Sequence, residues 1–249
     1  MATLFLSDLH LDGSRGDILA ALTGLLRGPA RRAAALYLLG DLFESWIGDD
    51  DPDPLAAAVA AELAALSASG VPVYFQHGNR DFLLGRDYAR RAGMQLLDEQ
   101  HRIDLYGVPT VLLHGDTLCS DDHAYQRLRQ EWRDAAWQAS FLAQTLDQRR
   151  AFAARARAES RAHTAAAASA IMDVNTDAVR DCFRQHQATR IIHGHTHRPA
   201  THPPQDIDGR ACQRIVLGDW HRAGSVLRVD ETSVELLDLA LPLSREHQE

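Results

Sequence analysis

Short strings rich in metal-ligating side chains punctuate this 249-residue chain: Ser7-Asp8-Leu9-His10, Gly40-Asp41, Gly78-Asn79-Arg80-Asp81, His114-Gly115-Asp116 and Gly194-His195-Thr196-His197. Each follows an apolar run rich in β-branched, aromatic or leucine residues, at 4–6, 35–39, 71–75, 111–113 and 191–192. Such runs predict buried strands. In open α/β sheets, ligands gather at the carboxyl ends of the strands. A single Asp-x-His or Gly-Asp after a strand is an ordinary turn. Repeated in succession at the same structural position, these strings predict one converging site. Its candidate ligands are Asp8, His10, Asp41, Asn79, His114, His195 and His197. Carboxylate, imidazole and amide oxygen without thiolate suit Mn²⁺, Fe²⁺ or Zn²⁺ and disfavour a structural zinc site. We read the site as a two-metal phosphoesterase centre. Asp41 is its natural bridging carboxylate, because the ions of such a pair lie only ~3.5–4 Å apart. In-line displacement by a metal-bound hydroxide needs no protein nucleophile. Consistently, the chain has neither a Gly-x-x-x-x-Gly-Lys loop nor a Gly-x-Ser-x-Gly elbow. His193 precedes the turn glycine and is expected as a strand-end histidine behind the site.

The elements that must position these residues alternate early: strands over 4–6, 35–39 and 71–75, with helices near 17–26, 55–67 and 86–92. Further strands are predicted over 102–106, 111–113, 190–192, 214–217, 225–229 and 233–237, with a hairpin-like excursion marked by Pro203-Pro204 and Asp208-Gly209. Alternation followed by consecutive strands predicts a layered α/β fold with helices outside. Residues 123–181 break the rhythm. They contain strong helix formers with no Gly and no Pro, and so predict helices inserted into a core of 1–122 and 182–249. On one continuous helical wheel, Leu128, Trp132, Ala135, Ala139, Leu142 and Leu146 form a stripe, with Trp137 and Phe141 nearly opposite. A helix apolar on both sides is sandwiched between layers or lines an apolar cavity.

Composition excludes several classes. The formal charge of −8 argues against general nucleic-acid binding, which needs a basic footprint. Every basic residue is arginine, and residues 124–170 carry eight Arg against four Asp/Glu, an excess of +4 that leaves −12 on the remainder. One basic segment on an acidic body predicts contact with an anion, as phosphate or as a membrane surface. No stretch approaches the ~18 unbroken apolar residues of a membrane span. The chain reaches Asp8 and His10 at once, so no cleavable leader is expected and the protein is expected to be cytoplasmic. Cys119, Cys182 and Cys212 are widely spaced and predict neither a disulfide framework nor a thiolate site. Nothing calls for an obligate protein partner.

The strings resemble those of the calcineurin-like metallophosphoesterases, whose pattern is D-x-H, G-D, G-N-H-[DE], H and G-H-x-H. The resemblance implies a β-sandwich flanked by helices, with two metals at one edge. It implies one metal on Asp8, His10, Asp41 and His197 and the other on Asp41, Asn79, His114 and His195. The chain departs at Arg80, where most of that family has a histidine. Histidine can protonate a departing alkoxide. A departing phosphate monoester, with a second pKa of about 6, needs charge stabilisation more than a proton. Arginine supplies that through its bidentate fork. Arg80 therefore favours pyrophosphate cleavage.

Across nearly its whole length the chain is similar to the UDP-2,3-diacylglucosamine pyrophosphatase family of lipid A biosynthesis. The shared strings include Gly-Asp-Leu-Phe-Glu-Ser-Trp-Ile-Gly-Asp-Asp from Gly40, His-Gly-Asn-Arg-Asp-Phe from His77, Glu-Ser-Arg-Ala from Glu159, Ile-Met-Asp-Val from Ile171 and Val-Leu-Gly-Asp-Trp from Val216. This resemblance implies two Mn²⁺ ions and an inserted helical lid over the acyl chains of a lipid-linked UDP-sugar. It implies attack on the α phosphorus, release of UMP and 2,3-diacylglucosamine 1-phosphate, and peripheral work at the cytoplasmic face of the inner membrane. Asp41, Asn79 and Arg80 would serve catalysis, and Asn79, Arg80, Asp122, Ser160, Thr164 and His195 would touch substrate. A lysine usual in relatives falls at Ala167, and residue 221, often Asp in relatives, is His221 here. The alternatives are a soluble nucleotide pyrophosphatase or cyclic-nucleotide phosphodiesterase, which has no use for an apolar chamber, and a metal-free scaffold, which has no need of a complete ligand set.

Overall fold

The computed structural model describes residues 1–166 and 173–242, and for 162–166 the backbone alone. Two sheets pack face to face. In the first, β1 (Thr3–Leu6), β2 (Ala35–Leu39), β3 (Val73–Gln76) and β4 (Met94–Leu96) run parallel, with β11 (Gly224–Val229) antiparallel beside β1 and β12 (Val234–Leu239) antiparallel beside β11. In the second, β6 (Val108–Leu113), β7 (Arg190–His193) and β10 (Arg210–Val216) are parallel. β5 (Gln100–Leu105), β8 (Ala200–Thr201) and β9 (Gln205–Ile207) pair antiparallel to these. β9 and β10 form the hairpin that the prolines and Asp208-Gly209 mark.

Because strand side chains alternate in direction, each strand feeds two cores. Phe5, Leu39, Leu112, Ile192, Ile215 and Leu227 face inward and fill the space between the sheets. Leu4, Leu6, Leu36 and Leu38 face outward beneath α1 (Gly16–Arg27), α2 (Pro54–Ala68) and α3 (Arg86–Arg91). The Asp53 carboxylate caps α2 by accepting from the Leu55 N–H, with Pro54 opening the helix, and Val59, Leu63 and Leu66 seat it. On the far side, Val111, Leu113 and Ile191 meet Val179, Cys182 and Phe183 of α7 (Thr176–His186). The β-sandwich flanked by helices is the architecture expected.

α7 runs without interruption through residue 181 and belongs with the second sheet. The expected boundary at 181/182 falls inside this helix. The inserted segment holds α4 (His123–Arg133), α5 (Ala135–Leu142) and α6 (Leu146–Ala166). The single wheel through 128–146 fails at Asp134, whose extended backbone (ψ 132°) ends α4 while its carboxylate caps α5 by accepting from Ala136 and Trp137 N–H. The turn brings Trp132 and Trp137 into stacking at 6.1 Å, instead of leaving them on opposite faces. The basic excess is also redirected: Arg149 pairs with Asp50, Arg150 with Asp51, Arg157 with Glu44 and Arg129 with Asp116. These pairs fasten the inserted helices to the acidic body. Among the described residues, no helix is long and apolar enough to cross a membrane.

Candidate metal centre

The ends of β1, β2, β3, β6 and β7 meet at one edge of the sandwich. The convergence is fixed by backbone bonds between loops: Asp8 N–H to Gly40 O at 3.1 Å, His10 N–H to Asp41 O at 3.0 Å and Gly194 N–H to His114 O at 2.8 Å. Asp8, His10, Asp41, His195 and His197 all adopt positive φ, between 48° and 68°. Outside glycine this conformation is uncommon, and such strain collects at functional sites where the surrounding structure enforces it. Close approach explains two of the glycines. A Cβ at Gly78 would strike the Asp41 carboxylate, and one at Gly194 would strike the side chains of Ser7 and Asp8.

All the candidate ligands come together. Asp8 Oδ2 accepts from Ser7 Oγ (2.6 Å) and from the His195 N–H (2.9 Å), while buried Oδ1 has no hydrogen-bond partner. His10 Nε2 lies 3.3 Å from His197 Nε2 and 3.7 Å from Asp41 Oδ2. Asp41 Oδ2 is also 3.7 Å from His114 Nε2, a position between two ligand groups that suits a bridging carboxylate. Asn79 Oδ1 sits 2.9 Å from His114 Nε2 and 3.0 Å from His195 Nδ1. His10 Nδ1 faces Glu44 Oε2 at 2.8 Å, and His114 Nδ1 faces the Leu39 carbonyl at 2.9 Å. With each Nδ1–H donating outward, both Nε2 atoms point inward at carboxylate, amide oxygen or another ring nitrogen. Ring nitrogens and an amide oxygen gathered about an orphaned carboxylate oxygen are what a cation would satisfy. Asp8, His10 and His197 form one potential ligand group, and Asp8, Asp41 and His114 another.

The electrostatics agree. Burial opposes the charge on Asp8, yet His197, His114 and His10 hold its carboxyl far below the usual range. Asp41 is likewise lowered against its burial, by His114 and His10. Burial would also lower His114, but Asp41, Asp8 and Asp116 outweigh it and push the imidazole up to about 9, a proton that a bound cation would displace. Burial, followed by the charge at His114, brings His195 down to about 4. The centre therefore keeps its carboxylates ionised, as a cation site requires.

Arg80 and Ser160 meet, Nη2 donating to Oγ at 3.1 Å, while the backbone N–H of Arg80 donates to Asp41 Oδ1 at 2.8 Å. Asp122 is buried and caps α4 by accepting from the Tyr125 N–H. Thr164 lies on the backbone of α6, its side chain outside the described residues, and Ala167 is outside them altogether. His193 ends β7 behind the site, its Nε2 accepting from Arg214. His221 stacks 5.9 Å from the ring of His10.

Sequence reasoning missed a second row of acids. Asp219 lies 3.5 Å from His197 Nδ1, Asp116 accepts from Tyr125 and Arg129, and Glu44 holds His10. Asp116 stands two residues past His114, Glu44 three past Asp41 and Asp219 directly after Gly218, all in strings already singled out, which is the signal that could have found them. Asp81 accepts from the N–H groups of Gly78 (2.8 Å), Asp41 (3.3 Å) and Leu42 (2.7 Å), locking two ligand loops together. Each buried donor left unpaired costs about 1–3 kcal/mol. Asp81→Ala is therefore expected to destabilise the metal-free protein by roughly 3 kcal/mol or more, read as a lowered urea midpoint. An unchanged midpoint would mean that the loops are held elsewhere.

Against the inserted helices the centre opens into an apolar chamber, walled by Trp46, Phe82, Trp132, Trp137, Phe141 and Phe152. Asn79, Arg80 and Ser160 line the same cavity. Trp137 stacks on Phe141 at 5.1 Å, and Phe141 is buried.

Residues 1–199 match the calcineurin-like phosphoesterase family. A UDP-2,3-diacylglucosamine hydrolase of Stenotrophomonas maltophilia is 55% identical over 96% of this chain and 99% of its own length. One from Xanthomonas campestris pv. campestris is 52% identical over 97% of this chain and 100% of its own. The chain belongs to the calcineurin-like phosphoesterases, and within them to the family of these UDP-2,3-diacylglucosamine hydrolases.

Proposed function

We propose that this chain is a metal-dependent pyrophosphate hydrolase that cleaves UDP-2,3-diacylglucosamine to UMP and 2,3-diacylglucosamine 1-phosphate, a step of lipid A biosynthesis. The observation that carries this reading is the apolar chamber opening directly on Arg80 and on Asn79, one of the candidate ligands. A soluble nucleotide offers nothing to fill such a wall; an acyl chain does. Asp8, His10, Asp41 and His197 would hold one divalent ion, and Asp41, Asn79, His114 and His195 the other, with Mn²⁺ the metal we favour. Such a pair, when bound, lowers the pKa of a bound water and clamps the oxygens about phosphorus. Arg80 holds the departing phosphate and Ser160 holds Arg80. Asn79, Asp122, Thr164 and His195 complete the substrate contacts. The segment from α4 through α6 acts as the lid, and a lipid-linked substrate places the enzyme peripherally at the cytoplasmic face of the inner membrane.

Comparing UMP release from diacylated and deacylated UDP-glucosamine tests the reading, and comparable kcat/KM for both would overturn it. The chamber gives a sharper version. Sequestering an acyl chain contributes about 0.8 kcal/mol per buried methylene, so partial burial of one tail dominates affinity. Replacing Trp137 and Phe141 together by serine is expected to raise KM for the diacylated substrate about tenfold or more, the equivalent of two lost methylenes. Hydrolysis of the deacylated analogue should hardly change. Equal losses on both substrates would make these aromatics packing residues only.

A further inference from the structure

Glu44 joins two parts of the molecule that the proposed chemistry treats separately. Its Oε2 receives the Nδ1–H of His10 at 2.8 Å. Its other oxygen pairs with Arg157 Nη2, and Arg157 Nη1 donates to the Glu44 backbone carbonyl. The Glu44 N–H in turn donates to Leu11 O at 3.0 Å, so the segment carrying His10 and the one carrying Glu44 move together. Arg157 belongs to α6, in sequence far from either. At three- and four-residue spacing, Ala153, Arg157 and Ser160 share the α6 face that closes the chamber. The pairing is well shielded: the side chains of His10, Glu44 and Arg157 are 8%, 29% and 15% exposed.

Geometry gives this chain a consequence. An Nδ1–H held by a carboxylate fixes the ring's tautomer and orientation and makes Nε2 more basic, which strengthens it as a ligand. Glu44 can do this only while its own rotamer is held, and Arg157 grips it at both the carboxylate and the main chain. Conversely, a cation on His10 Nε2 sharpens the Nδ1–H bond to Glu44, and so the seat of Arg157.

We propose that Arg157 is a positioning residue that couples the seating of α6 over the chamber to metal binding at His10, with Glu44 as the connecting group. This rests on the metal-centre reading given above. Coupling of this kind is reciprocal: whatever the lid contact adds to metal affinity, the metal adds to lid closure. The inserted helices would then close fully only over a loaded centre.

The test uses the full chain, stripped of metal. Mn²⁺ is titrated by calorimetry, and hydrogen exchange across 146–161 is followed with and without Mn²⁺. In the unaltered protein, Mn²⁺ should slow exchange in α6. Arg157→Met and Glu44→Gln should each weaken one Mn²⁺ site about tenfold, the lower end for outer partners of metal ligands, and largely remove the metal's effect on α6. The double variant should lose little more than either single one, because both break one chain of contacts. Arg157→Lys should recover part of the affinity. Should Arg157→Met fold poorly, Glu44→Gln, nearly isosteric and partly exposed, carries the same test. Unaltered Mn²⁺ affinity in these variants, or α6 exchange indifferent to Mn²⁺ in the parent, would overturn the coupling. Failure of the parent to bind Mn²⁺ at all would instead overturn the metal-centre reading.

Discussion

Replacing Asp41 by alanine is expected to lower turnover by about 10³-fold or more, since a catalytic metal supplies several kcal/mol of transition-state stabilisation. The same change should empty at least one metal site. In the proposed two-ion assignment Asp41 would be the shared ligand: its Oδ2 is 3.7 Å from His10 Nε2 and equally far from His114 Nε2. Its Oδ1 meanwhile accepts the Arg80 N–H, so the carboxylate also fixes where the Arg80 loop begins. Loss of Asn79 would strip a donor from the centre without removing the group between its halves. Metal content of the purified variant, measured beside kcat, checks the first half of the expectation. Chelation of the unaltered enzyme checks the second: activity should vanish with excess chelator and return with Mn²⁺. Full activity in metal-stripped protein would end the two-metal reading outright.

How far this centre was legible beforehand follows from what determines each part. The residues that converge could be read because a strand ending in a tight turn leaves a local mark: an apolar run, then Gly, Asp, His or Asn. Sheet order was less legible, since β4, only Met94–Leu96, and the short β8 carry too few residues to show a period. The inserted helices were misdrawn at a single residue. Asp134 reads as an ordinary helix-surface acid, yet an Asp can also end one helix and cap the next, and the tertiary cluster of Trp132, Trp137, Phe141 and Phe152 selects the second option. The arginines misled for a related reason. Composition shows an excess of charge but not its partners, and Asp50, Asp51 and Glu44 lie far away in sequence. Glu44 and Asp81 escaped because their work is to hold other residues, which only three-dimensional proximity reveals.

Arg80→Ala should reduce kcat by about 10²–10³-fold, the usual loss for one preorganised group aimed at developing charge, while KM stays within a few-fold. Two features make this substitution clean. The contacts that Arg80 makes to the metal loops run through its main chain, N–H to Asp41 Oδ1 and carbonyl to the Trp46 N–H, and both survive truncation of the side chain. The guanidinium itself is held by Ser160, while its buried Nε has no partner among the protein groups. A donor kept dry and unspent is poised for charge that the ground state does not fully carry. Negative charge builds on the phosphate leaving from the pyrophosphate as the bond breaks, and only interactions stronger there raise kcat. Arg80→Lys keeps the charge but loses the fork, so it should fall between the two. Restoring a histidine, as in most of the wider family, should not rescue it, because a phosphate leaving group needs stabilised charge more than a proton. A variant with unchanged kcat and a raised KM would show instead that Arg80 only holds the bound substrate.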